Sequence, residues 1–119
     1  MKKQNRRLYG LLIDVDGRIR YAEISPGREE KWSGIKTILK TAVTKQLPAG
    51  GFNGINRILI YNYYGTPVQG RNERAMKLTG EKTEIYGPAL LLKESELGYP
   101  ALMPEGAAYK MKLEVERGW

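Results

Sequence analysis

The stretch LLIDVDGRIR, residues 11–20, decides the fold. It has two readings: an Asp-x-Asp pair that ends an apolar strand and transfers phosphoryl groups, or a strand that turns back on itself. The second accounts for every position. With Val15, Asp16 and Gly17 as a three-residue loop and Gly17 left-handed, Asp14 faces Arg18, Ile13 faces Ile19 and Leu11 faces Tyr21. This register puts Leu11, Ile13, Ile19 and Tyr21 on one face and sets opposite charges beside the turn. An antiparallel hairpin is therefore expected, with Asp16 and Gly17 serving its turn.

The first reading carries a family likeness. LLIDVDG resembles the first motif of haloacid dehalogenase-like phosphatases, which would make Asp14 a nucleophile and Asp16 a general acid around a Mg²⁺-held phosphate. The next position here is Arg18 where that motif has Thr or Val. Such enzymes also need a parallel, helix-crossed sheet, a downstream lysine and a further acidic pair, for which a 119-residue chain has no room.

Beyond the hairpin, SPGREEKWSGIKTILKTAVTKQLP predicts an amphipathic helix, capped by Ser25 or Ser33 and stopped by Pro48. Trp32, Ile35, Leu39, Ala42, Val43 and Gln46 recur at helical spacing, with Lys36, Lys40 and Thr44 on the other, solvated side. PAGGFNG reads as a glycine-rich loop without the Lys-Ser/Thr of a phosphate loop. INRILIYNYY is apolar on both faces, the mark of a central strand. GRNERAMKLTGEK offers one or two helical turns from an Asn72 cap to a Gly80 stop, and TEIYGPALLLKE a further strand. SELGYPALMPEGAA reads as a long loop, and YKMKLEVER alternates as a strand with Tyr109, Met111, Leu113 and Val115 inward. The expected architecture is α+β: a mostly antiparallel sheet of about five strands packed with one main amphipathic helix. Residues 1–7 are expected to be a basic flexible arm and residues 8–119 a single domain.

Composition narrows the chemistry. The chain has neither cysteine nor histidine, which excludes disulfides, thiolate or imidazole metal sites, and catalysis of the Ser-His-Asp or Cys-His kind. Carboxylate-bound Mg²⁺ or Ca²⁺ are the ordinary metals left, and no cofactor and no enzymatic activity are expected. No apolar run is long enough to span a membrane, and the N-terminus lacks a signal-peptide cleavage pattern, so a cytoplasmic setting is expected. Twenty Lys and Arg against thirteen Asp and Glu give a net charge of +7, which suits an anionic partner.

The candidate ligand-binding residues are Arg57, Tyr61, Tyr63, Arg71, Asn72, Arg74, Lys77 and Tyr86. Arginine forks take phosphates bidentately, an Asn amide reads a base or ribose, and tyrosine faces stack bases. These residues lie in INRILIYNYYGTPVQGRNERAMKLTGEKTEIYGPALLL, residues 55–92, which resembles an uncharacterised domain family of phages and bacterial mobile elements. That family joins an ILIYN-type strand, a loop with an Asn-Arg element, here Asn-Glu-Arg, and an IYGPALL-type strand. The resemblance implies a small accessory protein of a phage or mobile element, working in the host cytoplasm.

The function expected is non-enzymatic binding of an anionic small molecule such as a nucleotide, a counter-defence signal sequestered from the host being one instance. The alternatives are a nucleic-acid-binding accessory protein, with KKQNRR as an electrostatic arm, and a basic protein inhibitor of a host factor. A homo-oligomer is also open, with Tyr99, Leu102 and Met103 set against a partner chain or capping the core.

Overall fold

The computed structural model describes residues 7–52 and 55–118. The elements follow as β1 (Leu8–Ile13), β2 (Ile19–Glu23), α1 (Arg28–Leu39), β3 (Thr44–Phe52), β4 (Ile55–Asn62), α2 (Glu73–Leu78), β5 (Ala89–Glu94), β6 (Pro100–Ala101), β7 (Met103–Pro104) and α3 (Glu105–Arg117). The five longer strands form one antiparallel sheet in the order β2-β1-β5-β4-β3, and β6 and β7 extend it beside β5 and β1. This is an α+β fold.

The first hairpin has the expected register, Leu11 opposite Tyr21 and Ile13 opposite Ile19. Gly17, at φ 90°, closes the turn: its N–H donates to the Asp14 carbonyl at 2.9 Å and the Asp14 N–H to the Arg18 carbonyl at 2.8 Å. Asp16 is occupied in the same turn, its carboxylate accepting from the Arg18 N–H at 2.9 Å. Asp14 pairs across the strands with Arg20 at 2.9 Å.

Burial explains the sheet order. Ala89, Leu90, Leu91 and Leu92 of β5 are all fully buried, and this strand lies between β1 and β4. Its side chains alternate between two cores. Leu91 and Ala89 join Leu11, Ile13, Leu59 and Tyr61 beneath α2 and α3, whereas Leu90 and Leu92 join Ile58, Ile60, Ile35 and Leu39 beneath α1. The sheet is thus the middle layer of three.

Four expectations are corrected. The helix after the hairpin ends with Leu39 rather than at Pro48, because Lys40 takes the left-handed cap (φ 55°) and donates to the Lys36 and Thr37 carbonyls. The segment from Thr44, with Pro48, Gly50 and Gly51 of the expected loop, forms edge strand β3, Thr44–Phe52. An edge strand has one side without a strand neighbour, which is where proline's missing N–H is harmless, and the register shift between Pro48 and Gly51 accommodates Gly50 at φ 71°. The C-terminal YKMKLEVER segment belongs to helix α3, which buries Ala108, Met111 and Val115 at spacings of three and four and leaves Tyr109 exposed. The expected long loop before it contains β6 and β7, with Leu102 and Met103 in the chain's own cores and Tyr99 exposed. The expected basic arm lies outside the described residues except for Arg7, 3.9 Å from Glu23.

Candidate functional site

On its α2/α3 face β4 presents Tyr61 and Leu59 to the core and then Arg57, where the apolar row ends. The Arg57 side chain is only 12% exposed. Its Nε donates to the Ala49 carbonyl of β3 at 3.0 Å, and Glu114 of α3 stands 3.9 Å from Nη1, beyond hydrogen-bond distance. Burial draws this guanidinium below its ordinary pKa while Glu114 pulls it back up; an arginine keeps its proton in either case. The result is a half-buried, forked cation opening into a cleft.

That cleft, about 440 Å³, runs between α2 and α3. From α2 and the residues after it come Arg74, Lys77, Leu78 and Glu81, at helical spacing; α3 contributes Glu114 and Val115. A second hollow of about 490 Å³ shares Arg57, Glu114 and Gly118 with the first and is also walled by Lys110, Leu113 and Arg117 of α3. These form one helix face with Glu114, distinct from the buried stripe. A cleft of about 650 Å³ beside β3 differs in character, with Leu47, Pro48 and Ile58 in its wall and Arg57 its one cation among the described residues.

The structure divides the eight candidates of the sequence among three places. Arg57, Arg74 and Lys77 meet in the cleft between the helices. Asn72 is fully buried: its amide nitrogen donates to the carbonyls of Ile13 and Gly87, both at 2.9 Å, while its oxygen caps α2 by accepting from the Ala75 N–H at 3.1 Å. It ties α2 to β1 and to the approach to β5, and both its N–H groups are spent on that tie. Tyr61 is buried in the core, where desolvation raises its hydroxyl pKa.

The remaining three sit at the other end of the sheet. Tyr63, just past β4, is half exposed beside Tyr64, with the Lys45 ammonium 5.0 Å from its ring centre. Arg71 pairs with Glu73 at 3.2 Å and forms an isolated bridge with Tyr86, whose hydroxyl bonds Glu84. Tyr86 is packed at Gly65, where an added Cβ would stand 2.8 Å from the Tyr86 carbonyl. Tyr63 lies six positions from Arg57 along extended chain, about 20 Å away. One mononucleotide does not reach both. Lys110 and Arg117 were missed because the strand reading put Lys110 on a wet face; a helical period aligns them with Glu114.

What the cleft offers chemically is three cations, Arg57, Arg74 and Lys77, together with two carboxylates, Glu81 and Glu114, and the apolar Leu78 and Val115; the guanidinium and ammonium groups are donors suited to phosphate or carboxylate oxygens. Among the described residues no three or more acidic side chains gather as a metal site, and no helix is long and apolar enough to cross a membrane. The chain matches no family model, no curated protein and no solved structure.

Proposed function

We propose that this protein is a small binding module for an anionic ligand, held in the cleft between α2 and α3 by Arg57, Arg74 and Lys77. The observation that carries the reading is convergence: a strand and a helix segment separated in sequence bring these three side chains to one cleft. Arg57 is the anchor, because a guanidinium 12% exposed is held in place before any ligand arrives and loses little freedom on binding. The net charge of +7 adds long-range attraction for the same ligands.

The position of the tyrosines refines the ligand class. No aromatic ring lines the cleft among the described residues, so recognition there rests on the anionic group rather than on a stacked base. A phosphate-bearing small molecule fits this best, and sequestration of a phosphorylated signal by an accessory protein of a phage or mobile element is the biological role we attach to it.

The test is a thermal-shift panel at low and moderate salt, with inorganic phosphate, cyclic and linear nucleotides and short oligonucleotides. A ligand that binds only the folded chain raises the melting temperature. The reading expects stabilisation by small phosphate compounds, lost in Lys77→Ala, whose side chain is exposed, and in Arg74→Ala. Stabilisation by long oligonucleotides alone, vanishing with salt, would instead favour an open nucleic-acid surface.

A further inference from the structure

The tyrosines at the other end of the sheet form a surface of their own, beyond the anion cleft. Past the end of β4 the backbone is fixed by its own hydrogen bonds. The Tyr63 N–H donates to the Val43 carbonyl at 3.1 Å, the Tyr64 N–H to the Asn62 side-chain oxygen at 2.9 Å, and the Gly65 N–H to the Asn62 carbonyl at 3.2 Å. Next, the Thr66 N–H donates to the Gln69 side-chain oxygen at 3.0 Å. Yet Tyr63 and Tyr64 stand 49% and 66% exposed, with ring centres 5.0 Å apart in edge contact. Rings carried on a fixed backbone lose little freedom when something stacks on them.

The charge directly against the rings is positive. Lys45 is the one charged residue of β3, and its ammonium lies 5.0 Å from the centre of the Tyr63 ring. Among the described residues it has no carboxylate partner. Residues 62–70 carry no charge. Glu84, Glu73, Asp14 and Asp16, which lie at the same end of the sheet, are already bonded to Tyr86, Arg71, Arg20 and Arg18.

We infer that Tyr63, Tyr64 and Lys45 form a nucleobase-stacking site, about 20 Å from Arg57 along β4, in which a base lies on the exposed ring of Tyr64 and Lys45 takes the adjoining phosphate. A base needs one open ring face and a cation for its phosphate, and both are present. A stable protein interface needs about 800 Å² and roughly twenty to thirty residues on each side. The large apolar side chains exposed beside this turn are Val43, Tyr63, Tyr64 and Val68, which suits a base better than a protein. Free nucleotides and single-stranded nucleic acid share this chemistry.

Fluorescence anisotropy on the full chain tests the site with two end-labelled strands of about ten units, within the span such binders cover. One is an oligodeoxythymidylate, the other an abasic strand with the same phosphates and no bases. The oligodeoxythymidylate is expected to bind at least about tenfold tighter, the gain that one stacked base gives. Tyr63→Ala/Tyr64→Ala, at two exposed positions, removes that gain and leaves the abasic strand unchanged, whereas Tyr64→Trp keeps it. Lys45→Ala weakens both strands. Arg74→Ala/Lys77→Ala leaves the ratio between the strands as it was, so failure of the cleft and failure of the stacking site are told apart. In that cleft variant, displacement of the oligodeoxythymidylate by AMP means that the stacking site takes free nucleotides, and no displacement means that it takes strands; stacking stands in both cases. Equal affinity of the two strands, a ratio unchanged in Tyr63→Ala/Tyr64→Ala, or no binding of either strand overturns the stacking site and leaves the anion cleft in place.

Discussion

The two faces of the sheet are both covered by helices that carry lysines, yet only one of them concentrates charge. On one face α1 lies over Ile58, Ile60, Leu90 and Leu92, and Lys36 and Lys40 project into solvent from a single element. Its N-cap is Gly27, which has no side chain to cap with, and the helix is held down by apolar contact and by the Lys31 ammonium, which donates to the Pro100 carbonyl at 3.1 Å. On the other face α2 is pinned by the buried amide of Asn72, and α3 lies beside it without closing over the end of β4. Cations from a strand and a neighbouring helix therefore meet around a guanidinium that the fold has already half buried. Charge spread along one helix is solvated, whereas charge gathered from several elements into a concavity is what the proposed anion site draws on.

The largest expected effect falls on the pin. Asn72→Ala removes a cap and leaves two buried carbonyls without their donor, a loss of roughly 2–4 kcal/mol by urea unfolding. On the opposite face Gly10→Ala sharpens the contrast, because a Cβ there would stand 2.7 Å from a Leu92 methyl. Overpacking that core costs about 1–3 kcal/mol, and phosphate affinity in the surviving folded fraction is expected to be unchanged.

Smaller effects separate the lysines. Lys77→Ala is expected to weaken phosphate binding several-fold while stability stays within about 0.5 kcal/mol, and Lys36→Ala to change neither. At the end of α1, Lys40→Gly relieves a left-handed residue (φ 55°). A gain of up to about 1 kcal/mol in thermal unfolding is expected, with no change in ligand affinity.

How much of this was legible in the chain depended on whether a pattern had one physical solution. The hairpin was readable to the residue, since Asp-Gly turn chemistry and the apolar alternation of Leu11, Ile13 and Ile19 agree. The centrality of β4 was readable from apolar residues on both faces, and β5, expected as a strand, is buried through four consecutive positions. The C-terminal segment had two solutions. Met111 and Val115 satisfy a two-residue and a four-residue period alike, and Ala108, just before the quoted alternation, breaks the tie in favour of the helix. Pro48 and the glycines of β3 read as a break because a sequence does not say which strand is an edge. The expected five long strands were thus reached with one gained and one lost. For the site, Arg57, Arg74 and Lys77 were readable as a basic group near β4 and α2. That Asn72 faces inward, and that α3 brings Lys110 and Arg117 to the same depression, depended on packing over long sequence separation.

The central claim is that position, not net charge, makes the α2/α3 cleft an anion site, and one measurement addresses it directly. Lys36→Ala/Lys40→Ala and Arg74→Ala/Lys77→Ala each remove the same charge from opposite faces. Their calorimetric affinities for adenosine 3′,5′-bisphosphate at low salt should differ, the first equal to that of the unaltered chain and the second at least about tenfold weaker. Equal weakening in both pairs would mean that the ligand senses only the overall charge of the protein, and the cleft would lose its standing as a site.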